Sequence, residues 1–267
     1  MKISIITVTR NSKTTLNDTI LSVLNQTYKN IEYIIIDGAS EDGTQELIRS
    51  YGDRINHFVS EPDTGMYDAM NKGIKLATGD IVGILNSDDF YSSNDVLEKV
   101  VHAFRNQDIQ SIFADLVYIR GKASDRIVRY YDSSHFNPDK FAYGWMPAHP
   151  TFFVKRYLYE LYGYFKTDYK IAADFELTAR LLNKHRITYA YLPFVMVKMR
   201  LGGISTSFKS IYINSSEQLR ACKENGIKTN MFAILFKYPQ KLLGFLIKKN
   251  YSINTLIVRL KGIMWNF

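Results

Sequence analysis

Three carboxylates that follow predicted β-strands are the residues of this chain best suited to chemistry. Asp37 ends the apolar run IEYIIID, and Asp88 and Asp89 follow a second apolar run that ends at Leu85. A carboxylate at a strand end can accept hydrogen bonds from a nucleobase N–H or a ribose hydroxyl. Two adjacent ionised carboxylates repel each other unless a cation offsets their charge, and Mg²⁺ and Mn²⁺ prefer carboxylate and phosphate oxygens. These residues therefore predict a site for a nucleotide diphosphate and a divalent metal.

Both positions also have a purely structural alternative. Asp37 could precede an ordinary strand-to-helix turn in which Ser40 or Asp42 caps the next helix. The Asp88-Asp89 pair could be a solvated turn before a helix that begins near Ser93. The chemical interpretation requires the surrounding elements to bring the carboxylates together.

The predicted elements meet this requirement. Strands are predicted at 2–8, 31–37, 57–59 and 81–85, and helices at 14–26, 44–51 and 65–77. This alternation predicts an α/β fold with a mainly parallel, Rossmann-like sheet, which binds ligands at the carboxyl ends of its strands. Beyond Ser111, short strands rich in tyrosine predict an antiparallel or mixed extension. We then expect a helix at 174–185, strands at 187–191 and 194–199, and a helix at 211–224.

Several classes of protein are excluded by what the sequence lacks. It contains no G-x-G-x-x-G after the first strand and no G-x-x-x-x-G-K-[ST], which excludes a dinucleotide oxidoreductase and a P-loop NTPase. Its single cysteine, Cys222, excludes an internal disulfide and a thiolate zinc site and favours a reducing compartment.

The net charge of +8 is concentrated near the C-terminus. No Asp or Glu follows Glu224, whereas seven of the 34 Lys and Arg residues do. Because the body is nearly neutral, nucleic acid is not an expected partner.

The ordered motifs of the chain resemble glycosyltransferase family 2, whose nucleotide-diphospho-sugar transferase fold is called GT-A. The resemblance spans roughly residues 1–205 and is densest over 1–105. It rests on SIITVTRN at 4–11, SVLNQT at 22–27, IDGAS at 36–40, SEPDTGMYDAMNKG at 60–73, GD at 79–80 and LNSDD at 85–89. The spacing and order of the set make it specific, although each motif alone is weak.

The resemblance implies a donor site for a nucleotide sugar. Thr9 would line the nucleoside pocket, Asp37 would contact the base and Asp88 would face the ribose or donor sugar, while Asp89 would hold Mn²⁺ or Mg²⁺ on the diphosphate. The residues expected to flank the nucleotide are Glu61, Asp68 and Lys72. Asp68 and Lys72 lie four apart on a helix, so a surface ion pair is the structural alternative. Arg10 stands where many relatives carry an aromatic residue, which weakens the preference for uracil.

The resemblance places the acceptor side in the second half of the chain. Asp174, in AADFEL, would be the base for the acceptor hydroxyl, although it could instead be a helix N-cap. His149, in PAHP, could reach the metal or diphosphate, or be a structural histidine. Arg200, in RLGGIS, could lie near the phosphates, with Gly202 and Gly203 in a loop that closes over the donor.

We expect residues 1–225 to form the GT-A domain and residues 226–267 a basic amphipathic helical tail. No apolar run in the tail approaches the ~20 residues needed to span a bilayer. Lysines beside bulky apolar residues suit an interfacial helix on an anionic membrane, so we expect a cytoplasmic protein peripheral to the inner face of the cell membrane. The alternative is a helical hairpin packed on the body or in a homodimer.

The predicted function is an inverting, metal-dependent glycosyltransferase that moves a sugar from a nucleotide-diphosphate donor, with UDP favoured, to an acceptor hydroxyl. The expected acceptor is a saccharide or lipid-linked saccharide of a surface polysaccharide. The alternatives are a non-catalytic membrane-associated assembly subunit and a sugar-nucleotide pyrophosphorylase. The second is disfavoured because TRNSK at 9–13 lacks the glycine-rich loop of such enzymes.

Overall fold

The computed structural model describes residues 1–106, 108–120, 126–201 and 208–238. Its strands are β1 Ile3–Thr9, β2 Ile31–Asp37, β3 His57–Ser60, β4 Ile81–Ile84, β5 Phe90–Tyr91, β6 Ser111–Ile119, β7 Ile127–Tyr131, β8 Phe153–Lys155 and β9 Tyr189–Arg200. Its helices are α1 Leu16–Leu24, α2 Thr44–Arg49, α3 Met66–Leu76, α4 Val96–Phe104, α5 Tyr157–Tyr162, α6 Ala173–Ala179, α7 Phe208–Glu224 and α8 Met231–Leu235.

A nine-stranded sheet organises the described chain. Its order is β3-β2-β1-β4-β8-β6-β9-β5, with β7 paired to β6. The strands β3, β2, β1 and β4 are parallel to one another, whereas β8 runs antiparallel to both β4 and β6. The sheet therefore has the predicted parallel half and the predicted mixed extension.

Both faces of the sheet are covered, which explains why its central strands are mostly apolar. In β1, Ile3 and Ile5 pack into the core that includes Leu16 of α1, and Ile6 and Val8 pack into the core that includes Ile74 of α3. Side chains alternate between faces along a strand, so every position of a central strand covered on both sides is buried, and a polar residue there, such as Ser4, needs a partner inside the protein, which is Glu32. The carboxyl ends of these strands are thereby held at one edge.

Gln26 fixes the chain that follows β4. Its side chain is 1% exposed, donates to the carbonyls of Ser22 and Ser93, and accepts from the Leu97 N–H. This amide joins the end of α1 to the start of α4, so the segment between β4 and α4 cannot move away from α1.

The second half of the sheet differs from the expected pattern in two places. β6 is a nine-residue central strand and not one of several short ones. The two strands expected at 187–191 and 194–199 form one strand, β9, whose pairing with β6 shifts register around Pro193. Proline has no N–H to donate, so it is accommodated where the ladder is already irregular.

The chain after α7 begins by packing on the body. Ile234 of α8 is fully buried, and Asn230 caps this helix by accepting from the Ala233 N–H at 2.9 Å. Gly144 lies beneath it with φ +68°, and a Cβ there would lie 2.8 Å from the Lys237 Nζ. Residues 239–267, most of the predicted tail, lie outside the described residues, so the boundary at 225/226 stays a prediction. Among the helices described, none is long and apolar enough to cross a membrane.

Gly83 allows β4 and β8 to pair beneath a phenylalanine ring. A Cβ at Gly83 would lie 2.3 Å from the fully buried Phe153 ring. Gly83→Ala should therefore destabilise the protein by about 1–3 kcal/mol, measured by urea unfolding, because the ring must leave its site. Phe153→Leu removes ring atoms and makes room for the added methyl group. The double variant should therefore lose less unfolding free energy than the two single variants lose together. Additive losses would contradict the steric explanation.

Candidate active site

Thr9, Asp37 and Ser60 lie side by side at the carboxyl ends of β1, β2 and β3. Asp37 is fully buried, and its carboxylate accepts from the Ser40 N–H at 2.9 Å, the Ser60 hydroxyl at 2.7 Å and the Ser40 hydroxyl. The expected base-contacting carboxylate is thus held by two serines, and it orders the turn that follows β2.

The turns after β1 and β2 are joined by hydrogen bonds and contain strained backbone. Asn11 and Ala39 have φ values of 51° and 55°, a region in which residues other than glycine are uncommon. The Asn11 N–H donates to the Ser40 hydroxyl at 2.7 Å, and the Asn11 side chain accepts from the Glu41 N–H at 3.0 Å. Such strain persists only where surrounding contacts enforce it, and it often occurs at ligand sites. The N-cap of α2 is Gly43, and not Ser40 or Asp42 as in the structural alternative, although Asp42 accepts from the Thr44 N–H that begins the helix.

Gly38 gives the strand-end turn room for two charged side chains. A Cβ at Gly38 would lie 2.4 Å from the Asp63 carboxylate and 3.4 Å from the Arg10 side chain. Arg10 and Asp63 therefore lie directly above the turn that Asp37 orders.

The Asp88-Asp89 segment lies beside these turns, immediately after β4. The Ser87 hydroxyl donates to the Ser12 hydroxyl at 2.9 Å, and the Thr19 hydroxyl of α1 donates to the Asp89 carbonyl at 2.7 Å. The acidic pair and the Asp37 turn are therefore brought to one edge of the sheet.

Asp89 is a buried carboxylate with an unsatisfied oxygen. It is 0% exposed, its Oδ1 has no hydrogen-bond partner in the described chain, and its Oδ2 is 3.4 Å from the Asn86 Nδ2. Burial, and secondarily the charge of Asp88, raise the pKa of Asp89 well above its ordinary value. Burial also raises the pKa of Asp88, with Arg200 opposing the shift. This arrangement disfavours two negative charges unless a cation joins them.

Two further buried oxygens, at the ends of neighbouring strands, have no partner in the described chain. They are the Thr9 Oγ1 at the end of β1 and the Asn86 Oδ1 beyond the end of the neighbouring strand, β4. An unsatisfied buried polar atom costs about 1–3 kcal/mol, so such atoms occurring together indicate a ligand or ion.

Arg200 joins the end of β9 to the acidic segment. Its guanidinium donates to the Asp88 carbonyl at 2.9 Å, pairs with Asp18 of α1, and lies 5.0 Å from the centre of the Phe90 ring. The expected proximity of Arg200 to the site is therefore present. Gly202 and Gly203, which were expected to form a closing loop, lie outside the described residues.

Glu61, Asp68 and Lys72 form a charge cluster beyond the end of β3. The Lys72 ammonium lies 2.8 Å from Glu61 and 3.4 Å from Asp68, and it donates to the Pro62 carbonyl. The Asp68 carboxylate also accepts from the Thr64 N–H at 3.2 Å. In this arrangement the three charges bind one another and hold the 61–68 loop against α3.

Asp174 and His149 form the second half of the candidate site. Asp174 lies in the first turn of α6 and accepts from the Phe175 N–H at 2.8 Å, while Ala172 is the N-cap. Burial raises the pKa of Asp174, and the nearby His149 opposes this shift. Burial lowers the pKa of His149, which packs edge-on against Phe165 with ring centres 5.8 Å apart.

Tyr67, Tyr118 and Tyr131 connect the two halves. The Tyr67 hydroxyl donates to the Ile171 carbonyl, which ties α3 to the turn before α6. Burial raises the pKa of Tyr118, and the charge of Asp89 adds to the shift. The pKa of Tyr131 is raised by burial, and the charges of Tyr118 and Asp174 add to it. The charge of Asp89 thus acts on Tyr118, and the charge of Asp174 acts on Tyr131.

The unpartnered oxygens beside the acidic pair are suitable ligands for a hard divalent cation. Among the described residues, no cluster of three or more His, Cys, Asp or Glu side chains forms a complete metal cage. Mg²⁺ and related ions are commonly held by one or two carboxylates together with substrate phosphates. The free Asp89 Oδ1 and the adjacent Asn86 Oδ1 supply oxygen ligands of this kind.

Sequence reasoning assigned no role to several residues that shape the site. Asn86 lies inside the LNSDD motif, and its unsatisfied oxygen was not predictable from that motif. The many tyrosines after Ser111 were noted, but which of them face the site depends on the pairing of β6 with β7 and β9. Asp18 could not be linked to Arg200, because 182 positions separate them.

Asp89 should lower stability when it is ionised and no metal is present. Because its pKa is raised on folding, its stabilising contribution is complete below the ordinary value of 3.8 and is lost as pH rises through the raised pKa. In EDTA, Asp89→Asn should therefore melt at a higher temperature than wild type at pH 7.5, with the difference disappearing towards pH 4. Asp53→Asn, in an exposed turn, is the control. A variant less stable than wild type at both pH values would contradict the assignment.

Comparisons with known proteins give the family of this chain. The sequence model of glycosyl transferase family 2 matches residues 4–163. An uncharacterized glycosyltransferase of Mycobacterium tuberculosis is 34% identical over 184 residues, which cover 67% of this chain and 68% of that protein. A PGL/p-HBAD biosynthesis glycosyltransferase of Mycobacterium bovis is 28% identical over 208 residues, 76% of this chain and 79% of its own.

Solved structures share the fold at low identity. TarS of S. aureus in complex with UDP superposes with a TM-score of 0.60 at 18% identity, covering 81% of this chain and 65% of that one. The mannosyltransferase PcManGT from Pyrobaculum calidifontis, in complex with GDP-Man and Mn²⁺, gives 0.61 at 17% identity, covering 99% and 80%. From the matched family model, the M. tuberculosis relative and the shared GT-A fold, it follows that this chain belongs to glycosyl transferase family 2.

Proposed function

We propose that this glycosyltransferase is metal-dependent and inverting, and that it takes its sugar from a nucleoside diphosphate donor, with UDP as the nucleotide. The observation that carries the proposal is the buried Asp89 carboxylate, whose unpartnered oxygen lies at the strand ends beside the turns after β1 and β2. Solved structures of similar fold contain UDP, UDP-GlcNAc, or GDP-Man with Mn²⁺, which supports a nucleotide-sugar donor.

The nucleoside would bind over the turns that follow β1 and β2. Thr9 offers an unsatisfied hydroxyl, and the Asp37 carboxylate fixes Ser40 and Ser60 around the base. The Arg10 guanidinium, held above Gly38, could stack on the base in place of an aromatic ring. Glu61, Asp68 and Lys72 would form the adjoining wall through their mutual ion pairs.

The diphosphate would lie at the Asp88-Asp89 segment. Asp89 and the neighbouring Asn86 oxygen would hold Mn²⁺ or Mg²⁺, and Asp88 would face the ribose or sugar. When bound, the cation would neutralise negative charge that develops on the departing diphosphate. Arg200 holds the Asp88 carbonyl and adds a positive charge at the same place. His149 is a candidate further ligand, since burial favours its neutral form.

The transfer step would be a single displacement. The acceptor oxygen attacks the anomeric carbon, the bond from that carbon to the diphosphate oxygen breaks, and the configuration inverts. The proton of the acceptor hydroxyl passes to the Asp174 carboxylate, which burial and the raised pKa make a stronger base than an exposed aspartate.

The proposed acceptor is a saccharide or lipid-linked saccharide of a cell-surface polymer. Support comes from the PGL/p-HBAD biosynthesis relative and from the basic residues of the predicted tail. The membrane attachment through residues 226–267, the location at the inner face of the cell membrane, and a homodimer remain parts of this proposal.

Metal-dependent donor binding tests the donor site. Wild type should be stabilised against heat by UDP with Mn²⁺ more than by either alone, and a panel of UDP and GDP sugars should identify the donor. Asp89→Ala should lose the synergy, whereas Asp53→Ala should retain it. Absence of any shift with every donor would refute the nucleotide-sugar proposal.

Asp174→Asn tests the base. The variant should lose about a hundredfold or more in transfer, because general bases contribute about 10²–10⁴-fold, while UDP and Mn²⁺ still stabilise it. In wild type, transfer should increase with pH through the raised pKa of Asp174, above the ordinary 3.8. Near-normal turnover by Asp174→Asn would contradict the assignment of Asp174 as the catalytic base.

Slow donor hydrolysis separates an enzyme from a non-catalytic assembly subunit. With Mn²⁺ and no acceptor, wild type should release nucleoside diphosphate from its donor. Donor binding without any hydrolysis or transfer would favour the assembly subunit.

A further inference from the structure

A cavity of about 430 Å³ lies in the second half of the described chain. Its walls come from the segment 131–146 and from the chain at the end of α8. The residues used below are Tyr131, Ser133, Phe136, Lys140, Trp145 and Lys237. A volume of this size matches a small-molecule site and can hold a sugar ring with its substituents.

The cavity is connected to the proposed base through two of its lining residues. The charge of Asp174 contributes to the raised pKa of Tyr131, and the charge of Lys237 opposes the raised pKa of Asp174. The Tyr131 hydroxyl also donates to the Met146 carbonyl at 2.8 Å, which fixes its ring in the cavity wall. Phe136 of the cavity wall packs on Phe141, and Phe141 packs on Phe175, with ring centres 5.3 Å apart in both pairs. Because Phe175 follows Asp174 in α6, a molecule in the cavity would lie near the helix turn that carries the proposed base.

Ser133 points to a ligand independently. It is 3% exposed and lines the cavity, yet its hydroxyl has no hydrogen-bond partner in the described chain. Its backbone is fixed, because the Ser133 N–H donates to the Asp115 carboxylate at 2.8 Å. Asp115 is in turn held by the hydroxyls of Tyr130 and Tyr191. A hydroxyl that is rigid, buried and unsatisfied is suited to a polar group of a bound molecule.

The chemistry of the walls indicates what that molecule is. Tyr131, Phe136 and Trp145 offer aromatic surface on which the C–H face of a sugar ring can pack. Lys140 and Lys237 add two ammonium groups, against one carboxylate from Asp132. Charge-assisted hydrogen bonds to an anion are stronger than those between neutral groups. The cavity thus combines a ring-binding surface with a positive potential.

We propose that this cavity binds the acceptor, and that the acceptor is a saccharide that carries an anionic group next to its ring. The proposal rests on the proposed function, since it takes Asp174 as the base. It adds a binding site, partly built by Phe236 and Lys237, which follow α8. It also adds a substrate class, a sugar with an adjoining phosphate or carboxylate.

Trp145 fluorescence provides a direct test. The chain has two tryptophans, so the Trp265→Phe variant leaves Trp145 as the single reporter. The probes are hexose 1-phosphates, hexuronic acids, methyl hexosides and inorganic phosphate. At least one anionic sugar should change the fluorescence and bind about tenfold or more tightly than the matching methyl hexoside and than phosphate alone. Preference for the 1-phosphate or for the hexuronic acid identifies the anion.

Variants made in the same background locate the binding. Lys140→Met should remove most of the preference for the anionic sugar over the methyl hexoside. Ser133→Ala should weaken the binding of both sugars several-fold. Tyr212→Ala, on α7 and 72% exposed, is the control and should leave binding unchanged. Thermal melting of each variant verifies that it is folded.

Two results would overturn the proposal: equal binding of anionic and methyl sugars by the unmodified cavity, or no response to any probe. Stabilisation by UDP with Mn²⁺ is measured on the same samples and reports the donor site alone. If donor stabilisation persists while no sugar binds, the acceptor proposal fails by itself. If the sugars bind but no donor does, the proposed function fails while the cavity remains a sugar site.

Discussion

The electrostatic cost of burying Asp89 beside Asp88 is the constraint on which the candidate site depends. A carboxylate with a free oxygen in the protein interior is unfavourable, and a second carboxylate next to it increases the cost. The surrounding structure keeps it there: Thr19 binds its backbone, Gln26 fixes the chain that follows, and Arg200 supplies the nearest positive charge. The fold therefore maintains an unfavourable group at a place where a cation with a diphosphate would relieve it.

Much of the first half of the chain could be predicted from the sequence, because its strands and helices are indicated by patterns within short segments. The apolar runs of β1 and β2 are buried on both faces, so their lengths and the polar residues at their ends indicate the sheet and its ligand edge. The alternation of strands with helices then brings Asp37 and Asp89 to that edge by topology alone. The family motifs lie in this half for the same reason, and the matched family model confirms them.

The second half was less predictable, because its structure depends on pairings between distant residues. Pro193 indicates a strand end locally, but β9 continues through it since the ladder with β6 tolerates a shift. Likewise, Asp37 was expected to face a ligand, and nothing in the sequence indicated that Ser60 would bind it. The Asp68–Lys72 ion pair follows from the spacing of four residues on a helix, but the contacts of Lys72 with Glu61 and of Arg200 with Asp18 do not. Such details depend on side-chain geometry after folding, which periodicity does not encode.

The position of α8 allows the C-terminal segment to vary independently of the acidic edge. Gly144 leaves room for the Ile234 and Lys237 side chains beneath α8, and the buried Ile234 anchors the helix there. This helix lies well beyond the segment that matches the family model, and the acidic edge is built from other elements. With the donor at the acidic edge as proposed, relatives can diversify this C-terminal segment, by drift or by recombination, while the site for the activated sugar stays intact. Exchange of such segments is an economical route by which one ancestral transferase could come to modify different glycans.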